Sequence, residues 1–429
     1  MRDTVTEYTT ETIFTWGAPP LKFGVGAVDE LGHECARLDL ARVLIVTDAG
    51  LARTGVPERV ADSLQAVGIE STIFDGAHSE PTDASLRDAV EFAGGTDWDG
   101  FLAVGGGSAI DTAKAINLMT TYPGDVMDYV NQPIGEGKSP PGPLKPLIAV
   151  PTTAGTGAES TAVCILDLLD LKVKSGISDP RMRPVMAVID PLLSLTVPPH
   201  VTACSGMDVL CHALESYTAR PYGAYSRKTP EERATYVGAN PISDAFIEKA
   251  IPLVARSLRR AVLRGDDLEA RSDMMLAASF AGMGFGNAGV HVPHACAYPI
   301  AGRVAHYYPA DYPGDEPMVP HGESVSVTAP AAFRFTFSAE PDRHVRAAEL
   351  LDPSVADIEE RRERLPTALI RLMQDIGIAN GIGALGYGSD DIEALVEGTM
   401  KQQRLLTMAP RDINSNDIGT VFAESITNW

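Results

Sequence analysis

The chain is poor in cysteine, with five in 429 residues and no C-x-x-C pair. An odd, scattered set (Cys35, Cys164, Cys204, Cys211, Cys296) excludes a small disulfide framework, and these thiols are expected to sit reduced in the core. Lysine is scarce too, at nine of the 35 basic residues, and these face 57 acidic residues for a formal net charge of −22. That balance excludes nonspecific nucleic-acid binding and attachment to an anionic membrane, both of which need a basic surface. It also means that an anionic substrate must be met by a local basic pocket or a metal. No apolar run reaches the ~20 residues that a membrane span needs. Residues 1–14 carry Asp3, Glu7 and Glu11, and lack both a signal-peptide apolar core and an Arg-rich transit-peptide character. A soluble cytoplasmic protein is expected, with small-molecule partners and neither nucleic acid nor membrane. Internal repeats and low-complexity tracts are absent.

What is present is an ordinary globular composition, 45% hydrophobic and 21% charged, in a chain long enough for two domains. The first half alternates. Strand-like runs at residues 42–47, 71–74, 100–104, 146–150, 160–166 and 185–189 are separated by helical patterns at 57–66, 83–93 and 111–119. That alternation predicts a parallel sheet covered by helices on both faces. Beyond Val197-Pro198-Pro199 the pattern changes to helices: 203–219, 241–264, 268–283, 342–351, 358–376, 390–400 and 412–427. The expected organisation is an α/β domain over residues 1–197 and an all-helical domain over 198–429. Each carries one Pro-rich insertion, at 125–145 and 307–320.

Residues 205–217, SGMDVLCHALESY, put Asp208 and His212 four apart on a helical face, which suits a divalent metal taking oxygen and nitrogen donors. Ser205 and Asp208 also fit a capping box that merely closes a first helical turn. Downstream lie His291 and His294 in GVHVPHACAYP, then His306, then His321 in VPHGES. Two of these would complete a set of one carboxylate and three imidazoles without thiolate; spacing does not choose among His291, His294 and His306.

Three further stretches point to a nucleotide. In FLAVGGGSAIDTAK, Gly105, Gly106, Gly107 and Ser108 follow a buried strand and open a helix, where bare N–H groups receive an anion. Asp111, one turn in, either faces that ligand or is a first-turn charge. In AVPTTAGTGAES, Thr152, Thr153 and Thr156 end another buried strand, where ligands bind in open α/β sheets. Asp48 ends the strand RVLIVT, where an acid accepts from ribose hydroxyls or simply forms a turn.

Together GGGSAIDTAK, PTTAGTGAE, GMDVLCHALESY and the pair His294 and His321 resemble the iron-containing (group III) alcohol dehydrogenases, from about Gly24 onward. DYVNQPIGEGK, LKVKSGISDPRMRP, GANPISD and SFAGMGFGNAGVHVPHACAYPIAG are similar to one branch, the hydroxyacid–oxoacid transhydrogenases. The resemblance implies a Rossmann-like dinucleotide-binding domain followed by a helical metal-binding, catalytic domain. It implies NAD and a divalent metal, Fe2+ first with Zn2+ as the alternative, and a homo-oligomer. It puts the metal ligands at Asp208, His212, His294 and His321, and the pyrophosphate at Gly105, Gly106, Gly107 and Ser108. Thr152, Thr153 and Thr156 would lie near the nucleotide and Lys174 near its ribose, with Asp48 favouring NAD over NADP. Many members carry a histidine four residues after the ligand equivalent to His294; here that place is Tyr298. Tyr298 is the candidate proton carrier, with a ribose–water chain as the alternative.

The implied reaction is hydride transfer from 4-hydroxybutanoate to 2-oxoglutarate through NAD that stays bound. An NAD-dependent alcohol dehydrogenase that exchanges its cofactor is the alternative. A lyase of the dehydroquinate-synthase type fits less, because its ligand set is led by glutamate. A distal substrate carboxylate calls for a basic group, for which Arg303 and Arg220 are candidates.

Overall fold

The computed structural model describes residues 9–171, 173–230, 232–312 and 317–429. The leader reading of residues 1–8 and part of the second insertion, 313–316, lie outside the described residues. The strands are β1 (Leu21–Phe23), β2 (Arg42–Val46), β3 (Glu70–Phe74), β4 (Gly100–Gly105), β5 (Leu147–Pro151), β6 (Val163–Leu168), β7 (Val173–Ser178) and β8 (Met186–Ile189). Six form one sheet in the order β1-β8-β5-β4-β2-β3, with every pairing parallel. Strands β4 and β5 are buried at every position, as expected of apolar runs covered on both faces. The edge strands β1 and β3 are only half-buried.

The chain runs outward from β2 to β3, then returns to the other side of β2 to place β4 and β5. The order therefore reverses between β2 and β4, and their carboxyl ends flank a crevice. Asp48 stands at the end of β2 and the glycine turn at the end of β4. Helix Gly107–Thr121 starts directly from that turn.

The run predicted at 160–166 is displaced from the sheet. It forms β6, which pairs antiparallel with β7 as a separate two-stranded ribbon. Its register sets Asp167 opposite Lys174. The ribbon is pinned to the sheet layer by Lys114, a buried lysine of the Gly107–Thr121 helix. Lys114 Nζ donates to Ala158 O (2.9 Å), Thr161 Oγ1 (3.1 Å) and Val163 O (2.7 Å), and lies 3.3 Å from Asp111 Oδ1.

After Pro198 the elements are helical, with Pro199–Thr218, Pro241–Leu263 and Leu268–Ala288 packed on one another. From Thr202 to Thr218 the first of these is buried almost all round, which marks it as a central core helix. It begins at Pro199, so Ser205 lies inside it rather than at its cap, and the Ser205 Oγ back-bonds to Thr202 O at 3.3 Å. The capping-box reading of Ser205 and Asp208 is thereby corrected: Asp208 sits mid-helix. The helix predicted over 358–376 begins at Arg364, because Pro366 is tolerated only in a first turn. Helices Val292–Gly302 and His321–Ser326 were not predicted, since Pro293, Pro299 and Pro320 read as loop residues. Among the described residues no helix is long and apolar enough to cross a membrane.

Lys114→Met leaves several buried acceptors and Asp111 without their cation. It is expected to lower the unfolding free energy by about 3 kcal/mol, measured by denaturant titration, while Lys114→Arg retains part of that stability.

Candidate functional site

Three elements bring four side chains together, with the ligand atoms of Asp208, His294 and His321 converging and His212 stacked against His294 beside them. Asp208 and His212 project from Pro199–Thr218, His294 from Val292–Gly302 and His321 from the start of His321–Ser326. The last approach requires a glycine: a Cβ on Gly322 would lie 1.9 Å from Cys204 O, so no other residue lets that helix settle against Asp208. Asp208 Oδ1 lies 3.5 Å from His294 Nε2 and 3.8 Å from His321 Nε2, and Asp208 Oδ2 lies 3.7 Å from His212 Nδ1. Ligand atoms of Asp208, His294 and His321 all fall within 4.8 Å of one another.

These separations are too long for hydrogen bonds. Asp208 Oδ1, His212 Nδ1 and His294 Nε2 are buried and have no hydrogen-bond partner among the described residues. Polar atoms so placed are costly unless something else satisfies them. An oxygen and nitrogen donor set with converging lone pairs fits a divalent cation.

The electrostatics agree at Asp208, His212 and His321. Burial pushes the Asp208 carboxyl up, but His212, His321 and His294 outweigh it and hold the group below the ordinary carboxylate range. Burial lowers His212 to about 3 and also lowers His321, keeping both imidazoles neutral with lone pairs available. His294 alone is raised, to about 9, because Glu215 and Asp208 overcome its burial. His212 is wedged flat between Phe285 (ring centroids 3.9 Å apart) and His294 (4.5 Å).

Glu215 is a residue that the sequence reading missed. It follows Asp208 and His212 at i+7 and i+3 on the same helix face, so its signal was a third polar position on an apolar helix. It is fully buried, and its Oε1 accepts from His294 Nδ1 at 2.5 Å. Its Oε2 accepts the backbone N–H of His291 at 2.6 Å. A carboxylate behind a histidine fixes the ring's orientation and leaves Nε2 facing the site. His291 is otherwise engaged: Nδ1 accepts from Val292 N at 2.8 Å, capping its helix, and Nε2 meets Thr218 Oγ1 at 3.1 Å. His306 is exposed.

A cleft runs from Gly107 and Ser108, past Lys174 and Tyr298, to His212, His294 and His321. Its floor is tight, since a Cβ on Gly107 would meet Thr156 Oγ1 at 2.6 Å. Gly106 and Thr153 pack beside it, and Asp48 Oδ2 would lie 3.6 Å from a Cβ on Gly105. Asp48 also caps the short Ala49–Ala52 helix, accepting from Gly50 N and Leu51 N. Thr152 is buried beneath the turn. The carboxylate of Asp111 is committed within the fold, to Lys114 and to Ile165 N at 2.9 Å.

Lys174 lines the cleft with its ammonium bonded to Glu80 and 3.6 Å from Asp167. Glu80, on the loop after β3, was likewise missed. Tyr298 is one turn beyond His294, its ring centroid 6.4 Å from that of His321. Burial raises its phenol against the pull of Arg404 and Lys174. Arg220 does not line the cleft; it is tied to Asp412 (2.7 Å) and Ala409 O (3.1 Å). The second insertion packs alongside, with Tyr307 Oη donating to Glu323 at 2.9 Å.

Comparison with known proteins follows the same lines. The family model "Iron-containing alcohol dehydrogenase" matches residues 19–191, and "Fe-containing alcohol dehydrogenase family, C-terminal" matches residues 232–426. A hydroxyacid-oxoacid transhydrogenase, mitochondrial, from Rattus norvegicus is 45% identical over 97% of this chain and 91% of its own length. Among solved structures, a 1,3-propanediol oxidoreductase aligns at TM-score 0.84 and 32% identity, over 96% of this chain and 100% of its own. A sulfoacetaldehyde reductase from Bifidobacterium kashiwanohense, in complex with NAD+, aligns at TM-score 0.80 and 26% identity, over 96% and 98%.

The names of the transhydrogenase relatives correct one expectation. Those proteins are called mitochondrial, which overturns the cytoplasmic location inferred from the acidic first residues. Composition near the N-terminus does not report where the protein works. The matches to both halves, the relative's identity over nearly the whole length and the shared architecture establish that the chain belongs to the iron-containing alcohol dehydrogenase family of oxidoreductases.

Proposed function

We propose that this chain is a hydroxyacid–oxoacid transhydrogenase, passing hydride from 4-hydroxybutanoate to 2-oxoglutarate through NAD retained in the cleft. One observation carries the reading: a single cleft joins the glycine turn to the buried Asp208–histidine cluster. In this reading the division between the cofactor and metal halves falls at 197/198. Asp208, His212, His294 and His321 hold a divalent metal, Fe2+ in preference to Zn2+. When bound, the metal supplies Lewis acidity and NAD supplies the hydride acceptor and donor.

The chain's own groups do the rest. Gly105, Gly106, Gly107 and Ser108 receive the pyrophosphate at the start of helix Gly107–Thr121. Thr152, Thr153 and Thr156 support that turn from below. Asp48 faces the ribose and disfavours a 2′-phosphate. Lys174, held by Glu80 and Asp167, lies along the ribose. Asp111 contributes indirectly, by fixing Lys114 and the ribbon. Glu215 keeps His294 Nε2 turned inward. Tyr298, whose phenol burial keeps protonated, gives its Oη proton to the substrate oxygen in carbonyl reduction and regains it in the reverse direction.

The test is the purified protein, analysed for bound nucleotide and metal, then given 4-hydroxybutanoate and 2-oxoglutarate without added NAD. Formation of succinate semialdehyde and 2-hydroxyglutarate is expected. Turnover that needs added NAD and ignores the oxoacid would replace this reading with a simple dehydrogenase.

Two variant pairs check the residues. His294→Ala is expected to lose retained metal after dialysis against a chelator, whereas His291→Ala keeps the metal and loses about 2 kcal/mol of stability, since only its cap and its Thr218 contact are removed. Tyr298→Phe is expected to lower kcat about 100-fold with metal and nucleotide still bound, measured by turnover beside metal analysis.

A further inference from the structure

Among the described residues two cations, Lys174 and Arg404, line the inner cleft, and they stand in opposite circumstances. Lys174 is bonded to Glu80 and lies 3.6 Å from Asp167, so its charge is met twice over. Arg404, on the Gln403–Leu406 turn of helix, is half-buried and lines the same cleft as His294, His321 and Tyr298. Its guanidinium lies 5.1 Å from the ring centroid of buried Tyr236. Among the described residues no carboxylate pairs with it. Buried and half-buried arginines are ordinarily paired, and this chain has acid to spare at a net charge of −22. A guanidinium that stacks on an aromatic ring keeps its N–H edge available for a planar anion.

The other basic candidates serve less well. Arg303 is exposed and lines the outer cleft only. Arg220 is committed to Asp412.

We propose that Arg404 is the specificity-determining residue that receives the distal carboxylate of both substrates, as a bidentate pair. This deepens the transhydrogenase reading and rests on it. The chemistry of the substrates explains why one arginine suffices. In 4-hydroxybutanoate two methylenes separate the reacting carbon from the carboxylate. In 2-oxoglutarate two methylenes separate the reacting carbon from the distal carboxylate. One anchor at one distance from the Asp208–histidine cluster thus seats both partners of an exchange in which the second enters after the first has left.

The experiment uses the nucleotide- and metal-loaded protein. Reduction of the bound NAD+ is followed in single turnover with 4-hydroxybutanoate and with butan-1-ol, so the assay runs whether or not the cofactor exchanges. Arg404→Gln is expected to lower the apparent second-order rate constant of that turnover for 4-hydroxybutanoate about 30-fold or more through weaker binding, because a buried carboxylate loses its only cation. For butan-1-ol the same variant should change by less than about threefold, since no charge is involved. Arg404→Lys should recover part of the loss. Calorimetric titration with glutarate, which needs no turnover, should show binding to the parent protein and its loss in Arg404→Gln. Equal losses on the two alcohols, no loss on the acid, or glutarate binding unchanged in Arg404→Gln would each overturn the anchor. Arg404-dependent glutarate binding without oxidation of 4-hydroxybutanoate would uphold the anchor and remove the transhydrogenase reading.

Discussion

The rest of the structure depends on one buried carboxylate, Asp208, with three imidazoles around it and, among the described residues, no hydrogen bond to its Oδ1. A charge in the middle of a core helix is among the most expensive things a fold can contain. The surroundings are organised to bear it. Two of the imidazoles are kept neutral by burial, and the ring of the third is oriented from behind by Glu215, which accepts from its Nδ1. The His321–Ser326 helix reaches the acid only because Gly322 lets it pass within contact of the Cys204 carbonyl. Helix Pro199–Thr218 is in turn buried almost all round, so the acid cannot turn away to water. A cluster built in this way fits a cation, because its polar atoms cannot relax into satisfying one another.

The sheet contributes position rather than chemistry. Reversal of strand order between β2 and β4 opens a crevice, and the cleft leads from it to the cluster. The β6–β7 ribbon forms one wall of the cleft, and it carries Asp167 and Lys174 as cross-strand partners. Lys114 ties that wall to the glycine-turn helix through contacts to the loop before β6 and to its first residue, Val163. Movement of the ribbon would therefore disturb the glycine turn and the charge network around Lys174 together.

Much of this was legible in the sequence. The β2, β4 and β5 runs announced a buried parallel sheet because strands covered on both faces are apolar throughout. The glycine turn and the Asp208/His212 pair were visible as short motifs. Three things were not. The 160–166 run has the composition of a strand, but which strand it pairs with is decided by a hairpin partner that carries polar residues. Proline hid the Val292–Gly302 and His321–Ser326 helices, since Pro293 and Pro320 mark helix starts as readily as loops. The choice of His294 over His291 lay beyond spacing altogether. It depends on Glu215, which accepts from the ring of one and the backbone of the other.

Net charge sets the last constraint. At −22 the protein repels small dicarboxylates at long range, so recognition has to be local and strong. Lys174 cannot supply it, because Glu80 and Asp167 already surround its ammonium with negative charge. Inside the cleft, the Asp208–histidine cluster loaded with its proposed metal and the guanidinium of Arg404 would then be two places where an anionic group is welcome. Two such places in one cleft orient a bifunctional substrate end to end. Its reacting oxygen falls toward the histidines and its carboxylate toward Arg404. The acidic exterior sharpens that preference: an anion that is not held at both ends gains too little to offset the repulsion of the field.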